Sequence, residues 1–405
     1  MKTFPRVAAL LLAVGSATIP GEARAQDAVR VASGWSVDAQ PERAYGWLEG
    51  EPDSEFSAVV GVVRGPNERI AVADRTLATI TVLAADGSVI VTMGRTGDGP
   101  GEFRRLAGIV AGGEGRVVAF DGEHQRLSEW TFDGSLSEDT GLSRTGAARR
   151  IGEVGRFADG RWYARESDRM VAADPGGVGR DTVGFHRLDR DGAVGAALAR
   201  VPGSFSSQFV VEGMSGMRGA LFSPRALGAV RGNCLLLAAG DEPVVRIFDQ
   251  TGTPRGELRL DTPVDRVTEE HRERWIAASV AAAERSMGGE IVPEAARMIE
   301  VMGEAVGMAA RVPFANDLLV DELGYIWIQS WQLPGGPGSP EWRVFTETGR
   351  GIGTVRLPEG LRVLDISAEA LTAVRTDELG RQFVQVHPLE RRAALEILPL
   401  PPGCG

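Results

Sequence analysis

A unit of short β-type runs and tight turns recurs along this chain, and the recurrence limits the fold more than any other feature. In its clearest copy, Ile70-Ala71-Val72-Ala73-Asp74 is followed by a polar corner. Then come Thr79-Ile80-Thr81-Val82-Leu83, the turn Asp86-Gly87 and a run from Val89 to Met93. Asp-Gly between two β-rich runs is a strong hairpin signal, because both central residues of such a turn must tolerate positive φ. The unit returns as Val117 to Asp121, Leu127 to Phe132 and Asp133-Gly134, and again as Trp162 to Ala164, Thr182 to Leu188 and Asp191-Gly192. Leu235 to Leu237, Val244 to Phe248 and Thr251-Gly252 make a fourth copy, and Ile326 to Ile328, Trp342 to Phe345 and Thr348-Gly349 a fifth. A fainter sixth covers Leu371 to Val374 and Phe383 to Val386. Another short strand precedes each copy, ahead of turns such as Ala158-Asp159-Gly160 and Glu322-Leu323-Gly324. Six four-stranded units predict an all-β fold, a six-bladed β-propeller.

The sixth unit lacks a clear fourth strand. The stretch from Gly46 to Phe56, which ends Glu51-Pro52-Asp53-Ser54-Glu55-Phe56, resembles Gly94 to Phe103, which links unit one to unit two. The residues before Gly46 are therefore expected to form an outer strand. Arg43 to Gly46 should pair with the C-terminal blade and close the ring, which removes the open sheet edges. One region breaks the β pattern. From Thr268 to about Met287, Trp275, Ile276, Val280, Ala283 and Met287 fall at helical spacing, with Thr268 as N-cap and Glu269 and Glu270 in the first turn. A second helix begins near Pro293 and carries Met298, Ile299, Met302, Ala305 and Val306 on one face, with Gly288-Gly289 between the two. Residues 263–310 thus read as a helical insertion between units four and five, too short to bury a core of its own.

The N-terminal residues carry Lys2 and Arg6, an apolar run from Val7 to Val14, and Ala23-Arg24-Ala25. That is the pattern of a signal peptide over residues 1–25, cleaved after Ala25, which leaves residues 26–405 as one propeller domain. The apolar run is far below the roughly 20 residues that span a bilayer, and no later stretch qualifies. A periplasmic or secreted, monomeric protein is the expectation. Cys234 and Cys404 allow a single bridge in such a compartment, but Cys234 lies inside an apolar run, where a buried free thiol is the simpler reading. The formal net charge is −11, and near −13 once Lys2, Arg6, Glu22 and Arg24 are removed, which argues against a nucleic-acid partner. Lys2 is the only lysine, so the mature chain has none for a Schiff base or a phosphate loop.

Blade strands run alternately up and down, so the tight Asp-Gly turns fall on one face. The blade-to-blade links and the corners between second and third strands fall on the other. The long segments Arg165 to Arg180, Phe205 to Pro224, the helical pair and Ser330 to Glu341 all belong to that second, loop-bearing face. Function concentrates on loops held by a rigid scaffold. The candidate ligand-binding residues there are Arg75, His124, Arg126, Glu166, Arg169, Trp331 and Gln332, with Asn316 and Asp317 starting an inner strand at the channel. Each has a simpler structural reading as a solvated corner or a blade-to-blade hydrogen bond.

Chemistry beyond binding is sparse. The four histidines, His124, His186, His271 and His387, lack metal-ligand spacing, and no G-x-S-x-G or H-E-x-x-H motif occurs. Asp189-Arg190-Asp191-Gly192 begins like a calcium loop but lacks the later ligands. Gly94 to Phe103 is glycine-rich but has no lysine or helix N-terminus for a phosphate. The string Gly94-Arg95-Thr96-Gly97-Asp98-Gly99-Pro100-Gly101-Glu102-Phe103 after the repeat Ile70 to Gly87, and the closing run Gly353 to Leu389, resemble bacterial exported six-bladed propellers related to NHL repeats. The resemblance implies the fold and an exported location, and no catalytic residues. Broader NHL-like propellers mostly serve as binding platforms. Some six-bladed relatives are calcium-dependent lactonases and lyases, but Glu49-Gly50-Glu51-Pro52 is a poor match to the lactonase Glu-Gly-Pro motif. Two readings follow. The first is a binding module for a protein, peptide or glycan, with no cofactor. The alternative is a metal-dependent hydrolase or lyase at the channel mouth, and Ca2+ enters only there.

Overall fold

Apolar runs bounded by Asp-Gly and other tight turns become short strands, and among the described residues the strands assemble into six sheets, antiparallel except where Ser143–Arg144 runs parallel to Ala193–Val211. The computed structural model describes residues 34–405 apart from 47–54, 114, 145–148, 212, 334–340, 359, 378 and 392–395; residues 1–25, read from the sequence as a signal peptide, and Glu49 to Pro52 lie outside the described residues. In chain order the first sheet comprises Val59–Arg64, Ile70–Asp74, Thr79–Leu83 and Val89–Met93, and the second Leu106–Gly113, Arg116–Asp121, Arg126–Thr131 and Leu136–Gly141. The third contains Ile151–Arg156, Trp162–Glu166, Val178–Leu188 and Ala193–Val211, and the fourth Leu227–Arg231, Cys234–Ala238, Val244–Asp249 and Pro254–Arg259. Asp317–Val320, Ile326–Gln329, Glu341–Phe345 and Gly351–Arg356 form the fifth, while Leu361–Ile366, Ala370–Thr376 and Gln382–Arg391 belong to the sixth.

Second strands such as Ile70–Asp74 and Cys234–Ala238 are buried at every position. Neighbouring sheets cover both of their faces, which is why these runs are continuously apolar rather than alternating. Pro254–Arg259, an outermost strand, is exposed at every position but Leu258. First strands of five of the six neighbouring pairs of sheets touch one another among the described residues, which places them innermost. Each consecutive pair of sheets shares a packed seam. Ile80, Phe103 and Leu106 fill the seam between sheets one and two, Phe120, Ile151 and Trp162 the next, and Tyr163, Phe185 and Leu235 that between three and four. Leu236 and Ile247 meet Ile326 and Ile328, and Trp327 and Trp342 meet Val363 and Leu371. The cycle closes where Val374 and Val384 of the last sheet pack on Phe56, Val59 and Val72. Among the described residues the sheets therefore form a closed β-propeller arrangement with no free seam.

The N-terminal residues take part in that closure. Arg43–Tyr45 pairs antiparallel with Gln382–Arg391, Arg43 opposite Val386 and Tyr45 opposite Val384, and Trp35–Val37 pairs farther along the same strand. The repeated linker has a packing role. Phe103 and Phe56 are almost wholly buried in consecutive seams. Glu102 closes the linker by accepting the Gly99 N–H at 2.8 Å and an ion pair from Arg95.

Two expectations need correction. Cys234 and Cys404 form a disulfide, with Cα atoms 5.2 Å apart. Cys234 lies at the turn end of its strand, opposite Arg231, and the C-terminal tail returns to it: Leu398 N–H bonds Leu323 O, Arg231 holds the Leu398 and Pro399 carbonyls, and Asn233 N–H bonds Cys404 O. Phe205 to Pro224, read as a loop, is largely strand, because Ala193–Val211 runs on through Ser206-Ser207-Gln208-Phe209 and pairs with Met214–Gly219. This long hairpin meets the helices. α1 (Glu269–Met287) begins with a capping box between Thr268 and His271, and α2 (Pro293–Ala305) follows; both lie in the chain between the fourth sheet's last strand and the fifth sheet's first. Arg272 of α1 donates to the carbonyls of Gly303, Glu304 and Val306 at the C-terminal end of α2. Leu221, Phe222, Val306 and Ala309 bury one another where hairpin and helices join, so this face has a small core of its own.

Candidate functional site

All inner strands enter from the loop-bearing face, so their first residues collect around one mouth of the space they enclose. Gly108, on the inner strand of sheet two, has nothing within 4 Å of where a Cβ would project, which marks open space there. Charged side chains from several sheets gather at this mouth. Glu153 is the third residue of Ile151–Arg156, Arg225 lies just before Leu227–Arg231, Asp317 begins its strand, and Arg362 is the second residue of Leu361–Ile366.

These groups feel one another electrostatically. Burial pushes the Glu153 carboxyl above its usual range, Arg165 and Arg225 oppose the rise, and Asp317 and Asp168 add to it. Burial also raises Asp317, against the Leu318 N–H, Arg225 and Arg362. Arg362 is lowered, by desolvation first and by the like charge of Arg75, with Asp317 opposing. Glu153 and Arg362 are nonetheless exposed. A side chain that water reaches while protein surrounds it closely is what a channel wall provides. Arg362 donates to Val59 O at 2.6 Å and Asp317 accepts from Leu318 N–H. Neither the Glu153 carboxylate nor the Arg225 guanidinium makes a direct hydrogen bond or ion pair with a described residue. Deeper along the same inner strands, Arg64 and Asp365 pair at 2.9 Å.

The residues anticipated from the sequence divide three ways. Arg75 and Asp317 belong to the mouth; Arg75 also donates from Nε to Leu106 O at 3.2 Å across the first seam. His124, Arg126, Glu166 and Arg169 are engaged at strand corners. His124 stands between Asp98 (2.8 Å) and Asp121 (3.0 Å), and Arg126 donates to the carbonyls of Gly99 and Glu102. Glu166 is wholly buried and accepts from Arg149 N–H, Arg149 Nε, Gly184 N–H and His186. Burial alone would raise it, but those bonds outweigh the burial and bring it to about 2. Arg169 donates its N–H and Nε to Asp181. The others lie to one side: Trp331 packs on Phe222 with ring centroids 5.3 Å apart, Gln332 is exposed beside it, and Asn316 donates to Gln329 Oε1 at 2.7 Å. Among the described residues no group of three or more His, Cys, Asp or Glu is placed to hold a metal ion.

Sequence reading passed over Glu153, Arg225 and Arg362. Glu153 and Arg362 each stand inside an inner strand, Ile151-Gly152-Glu153-Val154 and Leu361-Arg362-Val363, whereas Asp317 was singled out as the start of one.

No protein-family model matches the chain, and no curated protein matches it by sequence. Solved structures do resemble it. A member of the DUF4221 family from Bacteroides vulgatus superposes with a TM-score of 0.50 at 9% identity, over 89% of this chain and 99% of that one. A Bacteroides fragilis protein described as exported gives 0.48 at 10% identity, over 91% and 98%, and a PQQ-bound aldose sugar dehydrogenase from Streptomyces coelicolor 0.44 at 14%, over 88% and 99%. The likeness is one of fold. Among the described residues, no helix is long and apolar enough to cross a membrane.

Proposed function

We propose that this protein is an exported binding module, a six-bladed propeller of the NHL-related kind with its helical insertion between blades four and five. Its ligand, a protein, peptide or glycan segment, engages the loop-bearing mouth of the channel. The observation that carries the reading is the pair of accessible, directly unpartnered charges Glu153 and Arg225, flanked by Asp317 and Arg362. A folded protein rarely leaves a carboxylate surrounded by protein, as Glu153 is, without a hydrogen-bond partner unless a ligand completes it. Six sheets joined in a cycle support the blade count, and the disulfide suits an oxidising compartment.

The test is binding of the mature chain to peptide and glycan arrays, with Arg225→Ala and Arg362→Ala alongside. Captured ligands should be lost or weakened at least about ten-fold in either variant, a change of roughly 1.4 kcal/mol. Parallel thermal melts in calcium and in chelator should coincide. No array binding, together with a chelator-induced fall in melting temperature, would favour the metal-dependent hydrolase instead.

A further inference from the structure

A second concave site lies on the opposite, plain face, between sheets two and three. It is a cavity of about 280 Å3 whose lining includes Arg116, Glu129, Glu138, Arg156, Trp162 and Arg190. The turns that build it belong to the repeat itself. Gly113 ends the inner strand of sheet two, Gly160 sits in the Ala158-Asp159-Gly160 turn, and Arg190 lies in the Asp189 to Gly192 hairpin that resembles the start of a calcium loop.

The central element is Arg156. A Cβ at Gly113 or at Gly160 would come within 2.8 Å of its Nη2, and both glycines have positive φ, +85° and +90°. The guanidinium is thus seated between two turns that admit only glycine comfortably. A cation fixed in this way ordinarily faces a carboxylate. Arg156 has no hydrogen bond or ion pair with any described residue, and neither has Arg190. Arg116 differs, since Glu129 pairs with it at 2.5 Å. Asp189, also in the lining, is held by Arg187 from outside the cavity. Glu138 accepts only from Thr140 Oγ1 at 2.9 Å. With Arg116 matched by Glu129 and Asp189 by Arg187, two arginines without a partner among the described residues stand against one carboxylate, an excess of one positive charge.

That balance selects a monoanion. A planar guanidinium binds a carboxylate through two parallel hydrogen bonds, Glu129 and Glu138 can accept from hydroxyl groups, and Trp162 supplies an aromatic wall. The volume is at the small end for ligand pockets, which run from about 300 Å3 upward, so it admits one ring rather than a chain. We propose that this cleft binds a uronic acid, the carboxylate on Arg156 and Arg190 and the ring hydroxyls on Glu129 and Glu138. A phosphate dianion would exceed the single charge available and meet both glutamates.

Calorimetric titration with D-glucuronate, D-glucose and inorganic phosphate tests this. Glucuronate should bind saturably, with glucose and phosphate at least about ten-fold weaker. Arg156→Ala should weaken glucuronate by at least the same factor, and Arg156→Lys, which keeps the charge but loses the fork, guards against an effect of misfolding. Arg274→Ala, at an exposed position of α1 outside the cavity lining, should leave glucuronate binding unchanged. The proposal is overturned if glucuronate shows no saturable binding, if both Arg156 variants bind it as the parent does, or if phosphate binds equally well.

Discussion

Acidic residues occupy two regions of this propeller and fare oppositely in them. At the ends of the second strands, Asp74, Asp121 and Glu166 are buried and ringed by donors. Asp74 accepts the N–H groups of Ser57, Ala58, Thr76 and Leu77, Asp121 those of Arg104, Arg105, Glu123 and His124, and Glu166 its four partners. At the channel mouth, Glu153 and Asp317 are enclosed by protein but receive far fewer hydrogen bonds, and burial raises their carboxyls instead of the surroundings lowering them. The difference lies in the backbone. A corner turns the chain so that several neighbouring N–H groups converge on one carboxylate, whereas an extended inner strand spaces its N–H groups along its length and brings few to any one side chain. Corner acids hold successive sheets together, and axial acids remain available to a ligand.

The largest expected effect comes from breaking a corner. Glu166→Gln keeps the shape but removes the buried charge that accepts from Arg149, the Gly184 N–H and His186; the half-buried Arg149 guanidinium keeps Asp181 but loses one of its two carboxylates. Losing hydrogen bonds to a buried charge costs about 1.5–3 kcal/mol, and urea denaturation should show a loss of that order. A variant as stable as the parent would show that the corner contacts do not hold the third sheet.

The same comparison has a pH signature. With the folded Glu166 at about 2 and the unfolded residue in the ordinary carboxylate range near 4.3, its stabilisation is present above the unfolded value. It is lost as pH falls through the folded one. The gap between parent and Glu166→Gln should therefore be full at pH 7 and shrink from about pH 5 toward pH 2. A gap independent of pH would mean that the substitution acts through packing alone.

Much of this was legible in the sequence, and the rest was hidden for identifiable reasons. Local signals located the strands, since Asp-Gly turns and continuous apolar runs each have a near-neighbour cause. The pairing of Arg43 to Tyr45 with the last strand was reached because the linker after it repeats. Cys404 gave no comparable sign, because its partner lies 170 residues away and the tail has no repeat to align it. The corner residues looked like ligand-binding candidates since sequence cannot show that His124, Arg126 and Glu166 already have partners. Glu153, Arg225 and Arg362 went unnoticed for the converse reason: their proximity is made by ring closure, not by spacing along the chain.

The smallest effect, and the one with the opposite sign, concerns the axial acids. Because the folded Glu153 and Asp317 carboxyls are raised, the folded state binds more protons than the unfolded chain between the two pKa values. Their ionisation therefore costs stability as pH rises through that window. Glu153→Gln and Asp317→Asn remove a charge that has few hydrogen bonds to lose. Each should melt at the same temperature as the parent near pH 4 and slightly higher at pH 7, by about a degree or two, as for other stabilising changes at functional sites. Array binding at the mouth should fall at the same time. If either variant instead melts well below the parent at pH 7, its carboxylate is a structural tie like those at the corners, and the division between the two regions fails.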